Sequence, residues 1–326
     1  NVDSHRLLVD DVCDIKALVE EFKWSEIETI YKDGVHSDKG SSMRTLQGFA
    51  SAEGKMHPYD TYYGETGSID KFVMSAIEGT GDFANASNTV REQAIEKGIQ
   101  NLLLTAYVIH ELNTAIDKET KGTANAVHNW DEGWAFFHGA SPGCGPYATG
   151  GKRADNFGTD NPSLAILEAM KAGRDVLKND GVTTEQDHAD EVVKNLVITY
   201  SQAAIRYASK MTTDETLAAA ETHQSEGMAF FMVIEPLVGI HTSACYNHET
   251  HATPYTNEAD CAAKEGNHTW VENWGADQIM SKVYDLSMNL TAERENEFDF
   301  KAEVEKHLQP AWDHYGITAT DIGTLK

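Results

Sequence analysis

Two copies of a short motif place a glutamate directly before the sequence Gly-x-Ala-Phe-Phe. Glu132 stands in the first copy, NWDEGWAFF, and Glu226 stands 94 positions later in the second, HQSEGMAFF. Each has a histidine close upstream, because His128 precedes Glu132 by four residues and His223 precedes Glu226 by three. Residues three or four apart share one face of a helix. Carboxylates suit hard cations, and added imidazole shifts the preference towards iron or zinc.

Asp131 adds a carboxylate to the first motif, since it lies three residues after His128 on the same predicted helix face. The alternative is structural. Each glutamate would then satisfy buried backbone groups beneath the Phe-Phe pair, and a duplication would preserve such a residue as well as it preserves a ligand. The motif is a metal-site candidate beside that alternative.

Two loops upstream of the motifs carry different chemistry at equivalent positions. The first offers phenols and an imidazole, and phenolate oxygen is a hard donor. Its candidate residues are His57, Tyr59, Tyr62 and Tyr63. The second loop carries Lys152 and Arg153 directly after two glycines. A guanidinium beside glycine amides can bind a small oxyanion. The alternatives are amphipathic packing for the tyrosines and surface salt bridges for Lys152 and Arg153.

The offset of 94 positions extends beyond the motifs. It aligns Tyr62-Tyr63-Gly64 with Asn156-Phe157-Gly158 without a gap. A constant offset over this length indicates an internal duplication. We therefore expect two pseudo-equivalent helical halves, 1–145 and 146–326, which share one core. A pseudo-twofold axis between them would bring Glu132 and Glu226 together.

Apolar residues recur at helical spacing along most of the chain, and no convincing alternating strand pattern occurs. The fold class is therefore mainly α, with long functional loops at 36–68 and 139–162 and a small disulfide-closed loop at 241–268. Pro236 is predicted to end the helix that carries Glu226. The predicted helical ranges are 11–32, 69–78, 88–117, 122–138, 163–179, 187–211, 214–234, 274–290 and 295–314.

The composition excludes several classes of function. The chain has 26 Lys+Arg against 52 Asp+Glu, a formal charge of −26, which opposes binding to nucleic acid or to anionic membranes. It contains no P-loop, dinucleotide fingerprint or Gly-x-Ser-x-Gly motif. His110-Glu111 begins like a zinc-protease motif, but Thr114 stands where the second histidine belongs.

Cysteines and sequons indicate an oxidising, extracellular compartment. A disulfide between Cys245 and Cys261 would close a loop of 16 residues and stabilise the fold by about 3 kcal/mol. Cys13 and Cys144 form the remaining pair. Sequons occur at Asn85, Asn267 and Asn289. The start at Asn1, without an initiator Met, is expected of a processed secretory protein.

These residues resemble those of the algal Fe-assimilating proteins, the low-iron-inducible or high-CO2-inducible periplasmic proteins of green algae, whose relatives include the diatom phytotransferrins. The resemblance rests on the Tyr-Tyr-Gly segment, the Lys-Arg-x-x-Asn-Phe-Gly-Thr run at 152–159 and the Glu132 motif with its second copy. The second copy departs from the first, because Gln224 and Ser225 replace Trp and Asp. The two sites therefore need not be equivalent.

The resemblance implies a secreted, periplasmic or cell-surface protein that binds ferric iron for high-affinity uptake and is not an enzyme. For the phytotransferrin branch it also implies a synergistic carbonate. We hypothesise one Fe3+ between the halves, carbonate on Arg153 and Lys152, and a cell-surface receptor or reductase as partner. The candidate iron ligands are Tyr59, Tyr62, Tyr63, His57, Glu132, His223, Glu226, His128 and Asp131.

Two other functions stay open at this stage. A His-x-x-Glu motif on a helix is similar to that of the imelysin-like group, so one alternative is a metal-dependent hydrolase, in which the metal activates water, or a metal-binding protein of that group. The missing second histidine or general base at a fixed spacing counts against the hydrolase. A wall or adhesion glycoprotein without metal is the other alternative, which the sequons and the acidity suit.

Overall fold

The chain folds mainly into helices, as its apolar periodicity predicts. The computed structural model describes residues 2–179, 184–251 and 257–326. A π-helical stretch, Gly98–Leu103, joins two of the helices into one long rod. The helices up to the first motif are α1 (Asp3–Val19), α2 (Trp24–Asp33), α3 (Leu46–Ala50), α4 (Tyr59–Tyr63), α5 (Ser68–Glu78), α6 (Asn88–Lys97), α7 (Leu104–Thr120) and α8 (Ala126–His138).

The second part of the chain is also helical and adds one small sheet. Two short strands, β1 (Ala244–Asn247) and β2 (His268–Val271), pair antiparallel with Ala244 opposite Val271. The helices are α9 (Tyr147–Phe157), α10 (Pro162–Asn179), α11 (Glu185–Thr213), α12 (Leu217–Val238), α13 (Glu258–Ala262), α14 (Trp274–Ile279), α15 (Leu290–Glu295), α16 (Phe300–Tyr315) and α17 (Ala319–Ile322).

Each copy of the glutamate motif lies on the second helix of a packed helix pair. Helix α8 packs on α7, and α12 packs on α11. The Phe-Phe pair of each motif is buried in the core; these residues are Phe136, Phe137, Phe230 and Phe231. Burial of the aromatic rings fixes the rotation of each helix about its axis. Each glutamate, four and five positions before its Phe pair, is thereby held at the edge of the core.

Helix α1 packs on both α8 and α6. Leu8, Val12 and Ile15 are fully buried along its inner face, so burial of apolar surface fixes the helix in this position. The Cys13–Cys144 disulfide ties α1 to the turn that follows α8. One end of α1 therefore lies beside Glu132, and the other end lies beside α6.

Both predicted disulfides are present. Cys13 and Cys144 are 131 positions apart, and Cys245 and Cys261 are 16 positions apart. The second disulfide joins β1 to α13 and closes the predicted loop. The strand β1 lies within that loop and β2 begins at its end, and the sequence does not reveal them because each has only four residues.

The predicted loop at 139–162 is wrong over much of its length, because α9 spans Tyr147–Phe157. Glycines are poor helix formers, which is why the sequence indicates a loop. In the structure Gly150 lets α9 lie close to the start of α10. A Cβ added at Gly150 would stand 3.0 Å from the backbone nitrogen of Ser163.

The predicted end of the motif helix at Pro236 is also wrong, because α12 continues to Val238. Proline removes a backbone donor and normally kinks or ends a helix. Side chains from elsewhere satisfy carbonyls around this point. The Tyr59 hydroxyl donates to the carbonyl of Val233 at 2.6 Å, and the Tyr315 hydroxyl donates to that of Leu237 at 2.8 Å.

One cluster of buried apolar side chains runs through the molecule, from Leu8 in α1 to Ile322 in α17. Both helix pairs, α7–α8 and α11–α12, contribute to it. The duplication itself, and the division into halves at 1–145 and 146–326, stay predictions from the sequence.

Candidate functional site

Glu132 lies on α8 with 9% of its surface exposed. Its Oε1 atom is 3.2 Å from Nδ1 of His5 and 3.2 Å from Nε2 of His128. His128 reaches it from one turn earlier on α8, as the spacing predicts, whereas His5 comes from α1. Two imidazoles therefore meet at one carboxylate oxygen. We define the Glu132 cluster as His5, Glu111, His128, Asn129 and Glu132.

A second buried carboxylate, Glu111 of α7, joins the cluster through an amide. The Nδ2 atom of Asn129 donates to Glu111 Oε2 at 2.6 Å and to Glu132 Oε2 at 3.2 Å, while its Oδ1 accepts from Lys118 at 2.5 Å. Burial raises the pKa of both carboxyl groups, and the charge of Glu132 raises that of Glu111 further. Two carboxylates this close hold a proton or attract another positive charge.

The imidazoles of the cluster suit metal binding in their protonation state. Burial, together with the charge of the nearby Arg44 guanidinium, lowers the pKa of His5 to about 4. His5 is therefore neutral at neutral pH, which is the form that binds metals. The His128 side chain is 45% exposed and gives the cluster an open side.

Within the described ranges, no three His, Cys, Asp or Glu side chains already stand in an arrangement that could hold a metal ion. In the Glu132 cluster, the Asn129 amide instead donates to both carboxylates.

Glu226 has a cationic environment instead. Lys97 Nζ is 3.7 Å from Glu226 Oε1 and 2.9 Å from Glu96 Oε2, and Lys16 Nζ is 2.8 Å from Glu96 Oε1. Burial raises the pKa of the Tyr207 phenol, and the opposite charges of Glu226 and Arg153 both act on it, so the three side chains are neighbours. We define the Glu226 cluster as Lys16, Glu96, Lys97, Lys152, Arg153, Tyr207 and Glu226. Both residues predicted to bind an anion, Lys152 and Arg153, are therefore in this cluster.

Two of the predicted ligands pair with other residues. His223 Nδ1 is 2.7 Å from Asp214, and its Nε2 is 3.3 Å from Lys210. Asp131 Oδ1 is 2.6 Å from Nε of Arg174 in α10. These contacts link neighbouring helices, and the metal-binding role of both residues stays a prediction.

The predicted tyrosines lie together at a third place. Tyr63 donates to Glu235 Oε2 at 2.5 Å, and Tyr62 lies 3.4 Å from Glu235 Oε1. Burial raises the pKa of Glu235 to about 7, and burial also raises the pKa of both phenols. Tyr59 instead donates to a backbone carbonyl of α12. His57 packs edge-on against the Tyr59 ring, with centroids 5.5 Å apart.

The predicted ligands therefore divide among separate places and cannot all bind one ion. His5 contacts Glu132, and Lys16, on the same helix α1, contacts Glu96. At 1.5 Å per residue, the eleven positions between them span about 16 Å. The Glu132 and Glu226 clusters thus lie at opposite ends of α1.

Several residues of these clusters have no clear signal in the sequence. Glu111 stands out only as part of an incomplete zinc-protease motif, and His5 precedes the first predicted helix. Lys16 and Lys97 look like ordinary helix-surface lysines until the packing of α1 on α6 brings them to Glu96. Glu235 lies beyond the aligned copies of the motif.

The fold and the clusters define a class: a mainly helical, disulfide-linked protein with a buried carboxylate–imidazole cluster. The chain belongs to the low iron-inducible periplasmic protein family, whose model matches residues 1–229. The family is consistent with a role in iron assimilation and with a periplasmic location. The match ends within the second motif, so Glu235 and the helices after α12 lie outside it.

No curated protein and no solved structure gives a significant match to the chain. Among the helices of the described residues, none is both long enough and apolar enough to cross a lipid bilayer.

Proposed function

We propose that this protein is a periplasmic or cell-surface binder of ferric iron for high-affinity uptake, and that iron binds at the Glu132 cluster. The observation that carries the proposal is the position of Glu132 Oε1, which is 3.2 Å from a nitrogen of His5 and 3.2 Å from a nitrogen of His128. Ligand atoms bound to one metal at about 2.1 Å are roughly 3 Å apart when they subtend a right angle.

The donor types fit ferric iron. Two carboxylates supply hard oxygen donors, and imidazole is a suitable ligand for iron. Burial raises the pKa of Glu111 and of Glu132 and so disfavours their charged forms. A metal ion that replaced their protons would stabilise the charged carboxylates. We propose binding rather than catalysis.

We include carbonate as the accompanying anion and assign Arg44 as the cation beside it. The Arg44 charge lowers the pKa of Glu132 and of His5, so the guanidinium lies close to the Glu132 cluster. Its Nη1 donates to Ser4 Oγ at 2.9 Å. Arg153 and Lys152, at the other end of α1, are too far away to bind an anion that also contacts iron at Glu132. A receptor or reductase that takes over the iron completes the proposal.

The test is an iron titration of the purified protein with ferric citrate, with and without bicarbonate. The variant Glu132→Gln keeps the size of the side chain but removes its charge. We expect it to weaken iron binding at least about tenfold, since charged ligands and hydrogen bonds to ions contribute most of such affinity. Asp131→Asn, the adjacent residue paired with Arg174, is the matched control and should bind iron like the wild type.

Equal iron binding by both variants and the wild type would reject the Glu132 cluster as the site. The visible spectrum distinguishes the remaining possibility. A phenolate-to-iron absorbance band that disappears in Tyr63→Phe would assign the iron to Tyr62, Tyr63 and Glu235. A bicarbonate effect on iron affinity that Arg44→Gln removes is expected, and no effect of bicarbonate would reject the carbonate part alone.

A further inference from the structure

The Glu226 cluster concentrates positive charge in a chain whose formal net charge is −26. Lys16, Lys97, Lys152 and Arg153 lie close enough to influence one another. Partial burial lowers the pKa of Lys152, and the charges of Lys16, Lys97 and Arg153 contribute to that shift. Like charges brought this close repel one another, so the arrangement costs stability unless an anion offsets it.

The carboxylates in the cluster do not offset all four cations. Glu96 pairs with both Lys16 and Lys97, at 2.8 and 2.9 Å, and Lys97 also approaches Glu226 at 3.7 Å. In the described part of the chain, neither Lys152 nor Arg153 has a carboxylate within ion-pair distance. Neither charge is therefore paired directly with a carboxylate.

Arg153 has capacity for another hydrogen-bond partner, although it is nearly enclosed. It is 6% exposed, and its Nε and Nη1 atoms have no hydrogen-bond partner within the described residues. The guanidinium carbon lies 5.6 Å from the centre of the Tyr207 ring and 5.9 Å from that of Phe230. Both rings therefore make cation–π contacts with the guanidinium. Buried donors without a partner are costly and rare in proteins.

We propose that Arg153, Lys152 and Lys97, with the Tyr207 hydroxyl, form a binding site for a small oxyanion that fills independently of iron. Carbonate and phosphate share the required chemistry, because each presents several charged oxygens to guanidinium and ammonium donors. Lys152 is exposed and Arg153 is buried. This proposal goes beyond the proposed function, since it requires no metal and involves the other end of α1.

The oxyanion site also gives the second motif copy a use different from the first. In the first copy, imidazoles surround the glutamate, as a cation site requires. In the second copy, Lys97 lies 3.7 Å from the glutamate, and Glu226 would thereby position a cation that faces the anion. The two copies would thus position ligands of opposite charge.

Calorimetric titration of iron-free protein with bicarbonate, and separately with inorganic phosphate, tests the site. We expect one oxyanion to bind per chain, with the preferred anion identified by the stronger of the two. Arg153→Gln should weaken binding by about tenfold or more, since a charge-assisted hydrogen-bonding partner is lost. Lys152→Gln changes an exposed side chain and leaves folding intact, and it should weaken binding less. Glu132→Gln should leave oxyanion affinity unchanged.

No binding of either anion to iron-free protein would overturn the proposal, as would unchanged binding in both Arg153→Gln and Lys152→Gln. Equal loss in Glu132→Gln would place the anion at the Glu132 cluster instead. The outcome is separate from that of the iron titration. Iron binding can fail while Arg153 binds an oxyanion, and the oxyanion can fail to bind while Glu132 binds iron.

Discussion

At the scale of single residues, Glu132 and Glu111 connect iron binding to pH. Burial raises the pKa of both carboxyls, whereas burial lowers the pKa of His5 to about 4. As the pH falls, the carboxylates therefore take up protons well before His5 does. A metal ion competes with those protons for the carboxylate oxygens. The affinity for iron therefore decreases on mild acidification, before the His5 imidazole is protonated and lost as a ligand.

We expect iron affinity to fall at least about tenfold between roughly pH 7.5 and pH 5.5, since each proton that must leave makes binding pH-dependent. Competition with a chelator of known affinity at each pH measures the change. Glu111→Gln removes one of the two titrating carboxyls, so it should bind more weakly at the higher pH and show a shallower pH dependence. Affinity that is constant over this range would contradict the role of these carboxylates.

At the scale of helices, the two motif copies differ in the space around their glycine. A Cβ added at Gly227 would stand 2.3 Å from Cε1 of Tyr284, which is fully buried and donates to the carbonyl of Ala204. A Cβ added at Gly133 would meet its nearest atoms at 3.4 Å, in α7. The glycine of the second motif therefore permits a close contact in α12, whereas the glycine of the first motif has only ordinary packing around it in α8.

This difference predicts opposite effects of one substitution. Gly227→Ala should destabilise the fold by about 1–3 kcal/mol, because Tyr284 and its hydrogen bond must shift. Gly133→Ala is the matched control and should be neutral or stabilising by up to about 1 kcal/mol, since alanine favours the helix. Urea unfolding of both variants measures the two changes. Equal destabilisation of the two would show that the glycines serve the same purpose.

Helices with long apolar periodicity could be predicted from the sequence, and α5 and α11 agree with their predicted ranges within a few residues. The prediction failed where tertiary contacts override local preference. Helix α9 forms despite adjacent glycines because they allow close packing on α10. Helix α12 continues past Pro236 to Val238, and hydroxyl groups distant in sequence donate to carbonyls on both sides of the proline.

The candidate site shows the same limit. The pairing of His128 with Glu132 follows from helical spacing, and the structure contains it. The contacts of His5 and Lys16 depend on where α1 packs, which no local pattern specifies. Similarly, Asp131 shares a helix with Glu132 but turns to Arg174 on a neighbouring helix. Spacing predicts which residues share an element, while the partners on other elements follow from the packing.

At the scale of the whole molecule, α1 connects the two proposed sites. It supplies His5 to the Glu132 cluster and Lys16 to the Glu226 cluster, and Cys13 lies between them. The Cys13–Cys144 disulfide fastens this helix to the turn after α8. The other disulfide, Cys245–Cys261, closes a peripheral loop outside the family match. Only the first disulfide therefore holds an element that contributes to both sites.

Removal of the two disulfides should consequently have different results. The Cys13→Ser/Cys144→Ser variant opens a loop of 131 residues and should lose about 4–5 kcal/mol of stability. It should also bind both iron and the oxyanion more weakly, because α1 is less firmly placed. The Cys245→Ser/Cys261→Ser variant opens a loop of 16 residues and should lose about 3 kcal/mol, with both ligands bound as in the wild type.

Urea unfolding and the two titrations, at a temperature where each variant is folded, measure these effects. If the first variant kept both affinities, the sites would depend on core packing alone, and the disulfide would serve only the stability of the chain.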